Sequence, residues 1–104
     1  MALKLVFRPA AQADLDALDD YIAQDSPRQA AAFVQKIIER CDRLTEFPET
    51  GRLRNDLRPG LRLIAFKRRV VIAYRVTPEA VEIGRVFYGG RDVDALLADE
   101  PDEG

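Results

Sequence analysis

The side chains that could do chemistry in this chain are arginines, a few lysines, carboxylates and three tyrosines, because its 104 residues include no histidine and a single cysteine, Cys41. Without imidazole there is no Ser-His-Asp or Cys-His pair, and the commonest metal ligand is missing. One cysteine excludes an internal disulfide and a thiolate cluster, so neither metal nor cofactor is expected. The cations are concentrated. Between Pro48 and Arg75 stand Arg52, Arg54, Arg58, Arg62, Lys67, Arg68, Arg69 and Arg75 against only Glu49 and Asp56, a balance of +6 inside a chain of formal net charge −2. A guanidinium with a pKa above about 12 binds anions but is a poor general base at neutral pH. Of the three lysines, Lys4 and Lys36 lie outside this block and Lys67 falls at a hairpin tip. The block is therefore equipped to bind anions rather than to move protons.

The cations at 52, 54, 58 and 62 lie outside any predicted helix, so no pairing along a helix accounts for them and an acidic partner segment is a natural complement. Direct nucleic-acid binding is the rival use of the same block. A sequence pI near 5.1 and an acidic C-terminal stretch stand against it at long range. Tyr21, Tyr74 and Phe87 each fall inside a predicted element and are expected in the core. Tyr88 precedes Gly89-Gly90, a strand-end position where a ring can face a cleft as readily as the interior. Cys41 lies on an apolar helix stripe and reads as a small core residue. The aspartates between Asp14 and Asp25 spread around a helix without the loop spacing of a calcium site, which makes them a solvated face.

The elements that must position these residues follow from periodicity and breakers. Leu3 to Arg8 has strand composition, and Pro9 ends it while suiting a first helical turn. Ala11, Leu15, Leu18 and Ile22 then recur at helical spacing up to about Gln24. Ser26-Pro27 restarts the helix, with Gln29 completing a Ser-x-x-Gln capping box. The second helix is predicted from Pro27 to about Phe47, its stripe formed by Ala30, Phe33 or Val34, Ile37, Cys41 and Leu44, and Pro48 stopping it. So short a link makes the two helices an antiparallel hairpin. Leu61–Lys67, Val70–Thr77 and Val81–Tyr88 are separated by links of hairpin length and predict an antiparallel meander, with the doubly apolar Val70–Val76 at its centre. Asp92 can cap a short helix, Val93–Ala98.

The fold expected is α+β: an N-terminal strand, a two-helix antiparallel hairpin packed on a mainly antiparallel sheet of about four strands, and a short C-terminal helix. A chain of this length makes one domain, residues 1–98, with 99–104 (DEPDEG) an acidic flexible tail. MALKLVFRP has no small-residue cleavage site after its apolar run, and no run approaches the roughly 20 apolar residues that span a bilayer, so a cytoplasmic protein with no membrane association is expected.

Four motifs, in this order and spacing, carry a resemblance: FRPAAQADLDALDDYIAQDSPRQAAAF, FPETGRLRNDLRPGLR, VVIAYRV and RVFYGGRDVDALL. Together they cover about residues 5 to 97 and resemble the ParE branch of the ParE/RelE superfamily of bacterial toxins. The resemblance implies a type II toxin-antitoxin system whose toxin causes growth arrest. The toxin would be neutralised by a cognate ParD-like ribbon-helix-helix antitoxin with a disordered C-terminal half, and only the complex would bind operator DNA. The implied antitoxin groove is the sheet face opposite the helices together with the helix edges. Antitoxin-binding candidates are Arg52, Arg54, Arg62, Arg75, Tyr88 and Arg91. ParE members are associated with inhibition of DNA gyrase and RelE members with ribosome-dependent cleavage of messenger RNA. In the RelE reading the catalytic set would be Arg62, Arg85 and Tyr88. Scarce lysines and absent histidines depart from that ribonuclease pattern and favour a gyrase inhibitor that is not an enzyme. An inactive toxin remnant that only binds antitoxin is the third alternative.

Overall fold

Two prolines set the helix starts and one serine fixes the turn between them. In the computed structural model, which describes residues 3–89 and 93–98, strand β1 (Lys4–Phe7) leads into helix α1 (Pro9–Ala23) and helix α2 (Pro27–Arg43), each with proline in its first turn. At the α2 start the Gln29 amide donates to Ser26 Oγ at 3.2 Å. Only half of the predicted capping box forms, because the Ser26 amide donates instead to the Ile22 carbonyl. Helix α2 ends four residues before the predicted limit. The Thr45 hydroxyl donates to the Asp42 carbonyl at 2.6 Å, and the Leu44, Thr45 and Glu46 amides each donate three residues back. These bonds draw the chain into tight turns before Pro48 can act. Pro48–Thr50 forms a single 3-10 turn.

The second half builds β2 (Arg52–Leu53), β3 (Arg62–Phe66), β4 (Val70–Val76) and β5 (Ala80–Tyr88), followed by helix α3 (Val93–Ala98). The sheet has five strands in the order β1-β5-β4-β3-β2. Strands β2 to β5 are antiparallel neighbours, whereas β1 runs parallel to β5 with Lys4 opposite Ala80 and Phe7 opposite Ile83. The predicted central place of Val70–Val76 is where β4 sits. The strand beyond the four expected is β2, whose two residues are too few to carry a periodic signal.

Helix α1 packs against β5, and α1 and α2 pack together. Between them and the sheet lies the main core, containing Ala11, Leu15, Leu18, Ile37, Cys41 and Leu44 from the helical layer and Val70, Ile72, Tyr74, Val81, Ile83 and Val86 from the sheet. The opposite face carries a smaller cluster of Leu61, Ala73, Phe87 and Leu97, flanked by Leu57, Leu63, Val71, Val93 and Leu96. Tyr74 and Phe87 are buried as predicted, but Tyr21 is 62% exposed. It occupies an α1 position turned from the buried stripe, and its ring meets the half-buried Tyr88 at 6.2 Å between centroids.

One irregularity matters for the site. Ala73 pairs with Arg85 and Tyr74 with Ile83, leaving Gly84 as the extra residue of a β-bulge. Ile83 and Val86 therefore both face the helices, while Arg85 is turned to the other face beside Phe87. Arg91, the Asp92 cap and the 99–104 tail lie outside the described residues. Among the described residues no helix is long and apolar enough to cross a membrane.

Candidate functional site

Each strand-borne arginine of the basic block was a candidate for contact with another molecule, so the bonds each makes within the chain are the first question. Arg54 follows β2, and its guanidinium makes two bonds to each of two carboxylates. Nε and Nη2 reach Asp56 at 2.9 and 2.8 Å, and Nη1 and Nη2 reach Asp94 at 3.2 and 3.0 Å. The hydrogen bonds to Asp56 and then to Asp94 raise its pKa further, and in return Asp56 is held below the ordinary carboxylate value of 3.8. Arg58 Nη2 donates to the Leu97 carbonyl at 2.8 Å. Both arginines thus hold α3 on the sheet face opposite the helices, with Leu97 seated in the smaller cluster. That face, expected to be an open groove, is partly covered by the chain's own C-terminal helix.

Arg62 opens β3 and turns back on the segment before β2. Its Nη1 donates to the Gly51 carbonyl at 2.8 Å and more weakly to Glu49 at 3.4 Å. Tyr74 grips the same segment from β4. Its hydroxyl donates to the Pro48 carbonyl at 2.8 Å and accepts the Gly51 amide at 2.8 Å. A Cβ at Gly51 would lie 2.6 Å from that hydroxyl, so only glycine allows the approach. Burial raises the Tyr74 pKa above its ordinary 10.0, outweighing the Gly51 amide and the charges of Arg62 and Arg40.

Arg85 is bound more firmly. Nε and Nη2 straddle the Asp14 carboxylate at 2.7 and 2.9 Å, and the same carboxylate accepts the Val86 amide at 2.9 Å. The guanidinium carbon also lies 4.9 Å from the centre of the Phe87 ring. Strand β1 stops at Phe7 opposite Ile83, so Asp14 supplies from α1 the acceptor that a longer β1 would have given β5. Nothing in the sequence separates Asp14 from Asp16 or Asp19. Its role depends on where β1 ends.

The other candidates are placed differently. Arg52 is exposed at the sheet edge, opposite Leu63, and Arg75 is half-buried opposite Glu82. Tyr88 is half-buried among rings, with Phe33 at 6.1 Å and Tyr21 at 6.2 Å between centroids. Arg62, Arg85 and Tyr88 thus belong to three separate sets of contacts: the Gly51 segment, the Asp14 pair and the aromatic run. An open depression of about 460 Å³ is lined by Glu46, Phe47, Pro48, Glu49 and Thr50. Its charged groups are anionic and Phe47 is 60% exposed there. Cys41 is buried, which pushes its thiol up to about 12 and keeps it protonated and unreactive. Among the described residues no group of three His, Cys, Asp or Glu side chains could hold a metal. Among the described residues the arrangement offers surfaces for binding, and Arg62, Arg85 and Tyr88 do not converge.

Comparison with known proteins places this geometry. The sequence matches the family described as "ParE toxin of type II toxin-antitoxin system, parDE" over residues 5–93, from β1 into α3. The chain belongs to the ParE toxin family. Toxin ParE3 of Caulobacter vibrioides is 38% identical over 85 residues, covering 81% of this chain and 84% of the relative. Toxin RelE2 of the same organism is 35% identical over 88 residues, covering 85% and 97%. Toxin ParE1 of Mycobacterium tuberculosis is 30% identical over 99 residues, covering 93% and 100%. A chain of the solved chromosomal ParDE toxin-antitoxin system from P. aeruginosa superposes with a TM-score of 0.70 at 29% identity, covering 84% of this chain and 96% of that one. The ParE fold thus accounts for the helical hairpin, the mixed sheet and the short last helix.

Proposed function

We propose that this ParE-family toxin is held inactive by a cognate ParD-like antitoxin and, once released, inhibits DNA gyrase in the cytoplasm without acting as an enzyme. The observation that supports a binding toxin over a nuclease is the commitment of Arg62 and Arg85. Arg62 braces the Gly51 segment and Arg85 is taken up by Asp14. A phosphoryl-transfer site would need such cations directed at a scissile phosphate, with a proton acceptor beside them.

The antitoxin contacts proposed are Arg52, Arg54, Arg62, Arg75, Tyr88 and Arg91. Arg52 is the most accessible of those described, and the same stretch of chain exposes apolar side chains, with Leu53 45% and Phe47 60% exposed. Apolar side chains beside a cation suit an acidic, amphipathic segment that folds on binding. Operator DNA would be bound only through the complex. The purified toxin is expected to block gyrase supercoiling or trap cleaved DNA, and addition of the antitoxin to restore activity. Full gyrase activity with the toxin in stoichiometric excess would rule the reading out.

A second reading is ribosome-dependent cleavage of messenger RNA, with Arg62, Arg85 and Tyr88 as its catalytic set. Similarity to the relative named Toxin RelE2 favours it. It requires new RNA ends in translating extracts, lost in Tyr88→Phe. A remnant that only binds antitoxin would be expressed alone without growth arrest.

A further inference from the structure

The tip of the β3–β4 hairpin is unlike the rest of the basic block. Lys67 and Arg68 both have left-handed backbones, with φ of 53° and 63°. This is turn geometry that asparagine and glycine adopt most cheaply, and longer side chains adopt it at a cost. Lys67, Arg68 and Arg69 are all exposed. Among the described residues no hydrogen bond or ion pair holds any of their side chains, and Lys67 has only a loose approach to the Phe66 ring at 5.9 Å. Three adjacent cations therefore stand at one turn, two of them on left-handed backbone, with no side-chain hydrogen bond or ion pair among the described residues.

Directly below them runs a line of rings. Phe66 lies 6.4 Å from Phe33, Phe33 lies 6.1 Å from Tyr88, and Tyr88 lies 6.2 Å from Tyr21. Tyr88 stands opposite Val70, and the Gly89 amide donates to the Arg69 carbonyl at 2.9 Å, so the line passes beside the tip. The last ring, Tyr21, is 62% exposed. Cations that follow a sugar-phosphate backbone, next to an open aromatic face on which bases can stack, are what a flexible single strand requires.

We propose that this hairpin end, with Lys67, Arg68 and Arg69 on phosphate and Tyr21 under a base, is a binding site for single-stranded nucleic acid. A duplex is disfavoured because its bases are already stacked. The site is independent of the gyrase reading and is tested without gyrase.

The measurement is fluorescence anisotropy of a labelled oligothymidylate of about 20 nucleotides with the purified chain. Three phosphate contacts predict a log–log salt slope near −2, or about a 15-fold weakening between roughly 50 and 200 mM salt. Replacing the tip by Lys67→Asn, Arg68→Gly and Arg69→Ser should weaken binding by at least about tenfold and flatten that slope. The new residues suit the left-handed turn, so an unchanged circular dichroism spectrum is expected. Tyr21→Ala, at an exposed position, should cost about tenfold and leave the salt slope as it was. The proposal is overturned by no binding at about 100 µM chain in low salt, by full binding in either variant, or by a duplex bound as tightly as the single strand. Polyglutamate of equal length competing as well as the oligonucleotide would also overturn it, and would assign the tip to an acidic protein segment.

Discussion

Two sets of cations in one basic stretch behave in opposite ways. Arg54, Arg58 and Arg62 are spent on carboxylates and carbonyls of their own chain, fastening α3 and the Gly51 segment to the sheet. Lys67, Arg68 and Arg69 lie a few residues on and have no such partner among the described residues, and Lys67 and Arg68 stand on a left-handed backbone that stability alone would not select. The difference teaches that a charge count does not locate a binding surface. An arginine with two carboxylates at hydrogen-bond distance is part of the scaffold, and a partner must compete for it. A cation without them is available at no structural cost.

Breaking the scaffold should therefore cost stability, and rebuilding the tip should not. The largest effect is expected at the Asp14 pair outside the block. Asp14→Ala removes both bonds to Arg85 and the acceptor of the Val86 amide, so that a part-buried guanidinium and a strand amide lose a shared carboxylate. A loss of about 2–4 kcal/mol is expected in urea unfolding. A double-mutant cycle with Arg85→Ala isolates the coupling, and a coupling near zero would mean that Arg85 is not part of the scaffold.

Next comes Tyr74→Phe, which orphans the Gly51 amide and the Pro48 carbonyl and should cost about 1–3 kcal/mol. It has a pH signature. Because folding raises the Tyr74 pKa above 10.0, the stability that this tyrosine contributes is complete below pH 10 and is lost as pH rises through its folded value. Tyr74→Phe should lack that alkaline decline, which thermal melts at graded pH will register.

Arg54→Ala is expected to act locally, speeding hydrogen exchange of the α3 amides while those of β4 stay protected. The clamp has an acid limit as well. Asp56 is held below 3.8, so its pairing persists above that ordinary value and is lost only as pH falls through the lowered one. The smallest effect has the opposite sign. Lys67→Asn with Arg68→Gly should stabilise the chain by roughly 0.5–1.5 kcal/mol by relieving two left-handed side-chain residues. A loss of stability instead would mean that the tip cations do serve the fold.

Much of the fold was legible because its signals are local. The two prolines and Ser26 place both helix starts, the apolar stripes of α1 and α2 name the helical half of the core, and the doubly apolar Val70–Val76 implies a central strand. What escaped depends on three dimensions. Pro48 marks the α2 end in the sequence, whereas Thr45 and its neighbours end the helix first. Strand β2 is too short for periodicity. Tyr21 sits in a helix and so reads as core, yet it faces outward.

The candidate site was less legible for the same reason. The sequence shows that Arg54, Arg58 and Arg62 are charged and close together, but not that Asp94 and the Leu97 carbonyl return to them from α3. Gly84 and the bulge that turns Arg85 look like any glycine in a strand. The left-handed tip is hidden because Lys-Arg-Arg is not a sequence that announces such a turn.

The pairing of β1 with β5 has a consequence for how the protein is made. Lys4 finds its partner only when Ala80 has been synthesised. Until then the apolar stripes of α1 and α2 have no sheet to cover. At roughly 5–20 residues per second, the first strand waits about 4–15 s for the last. The fold therefore closes only after β5 is made, and every earlier nascent chain exposes its core. An arrest-peptide profile should register folding force only after β5 has left the exit tunnel. A toxin built this way acquires its shape, and with it any capacity to poison the cell that makes it, only once β5 has been made.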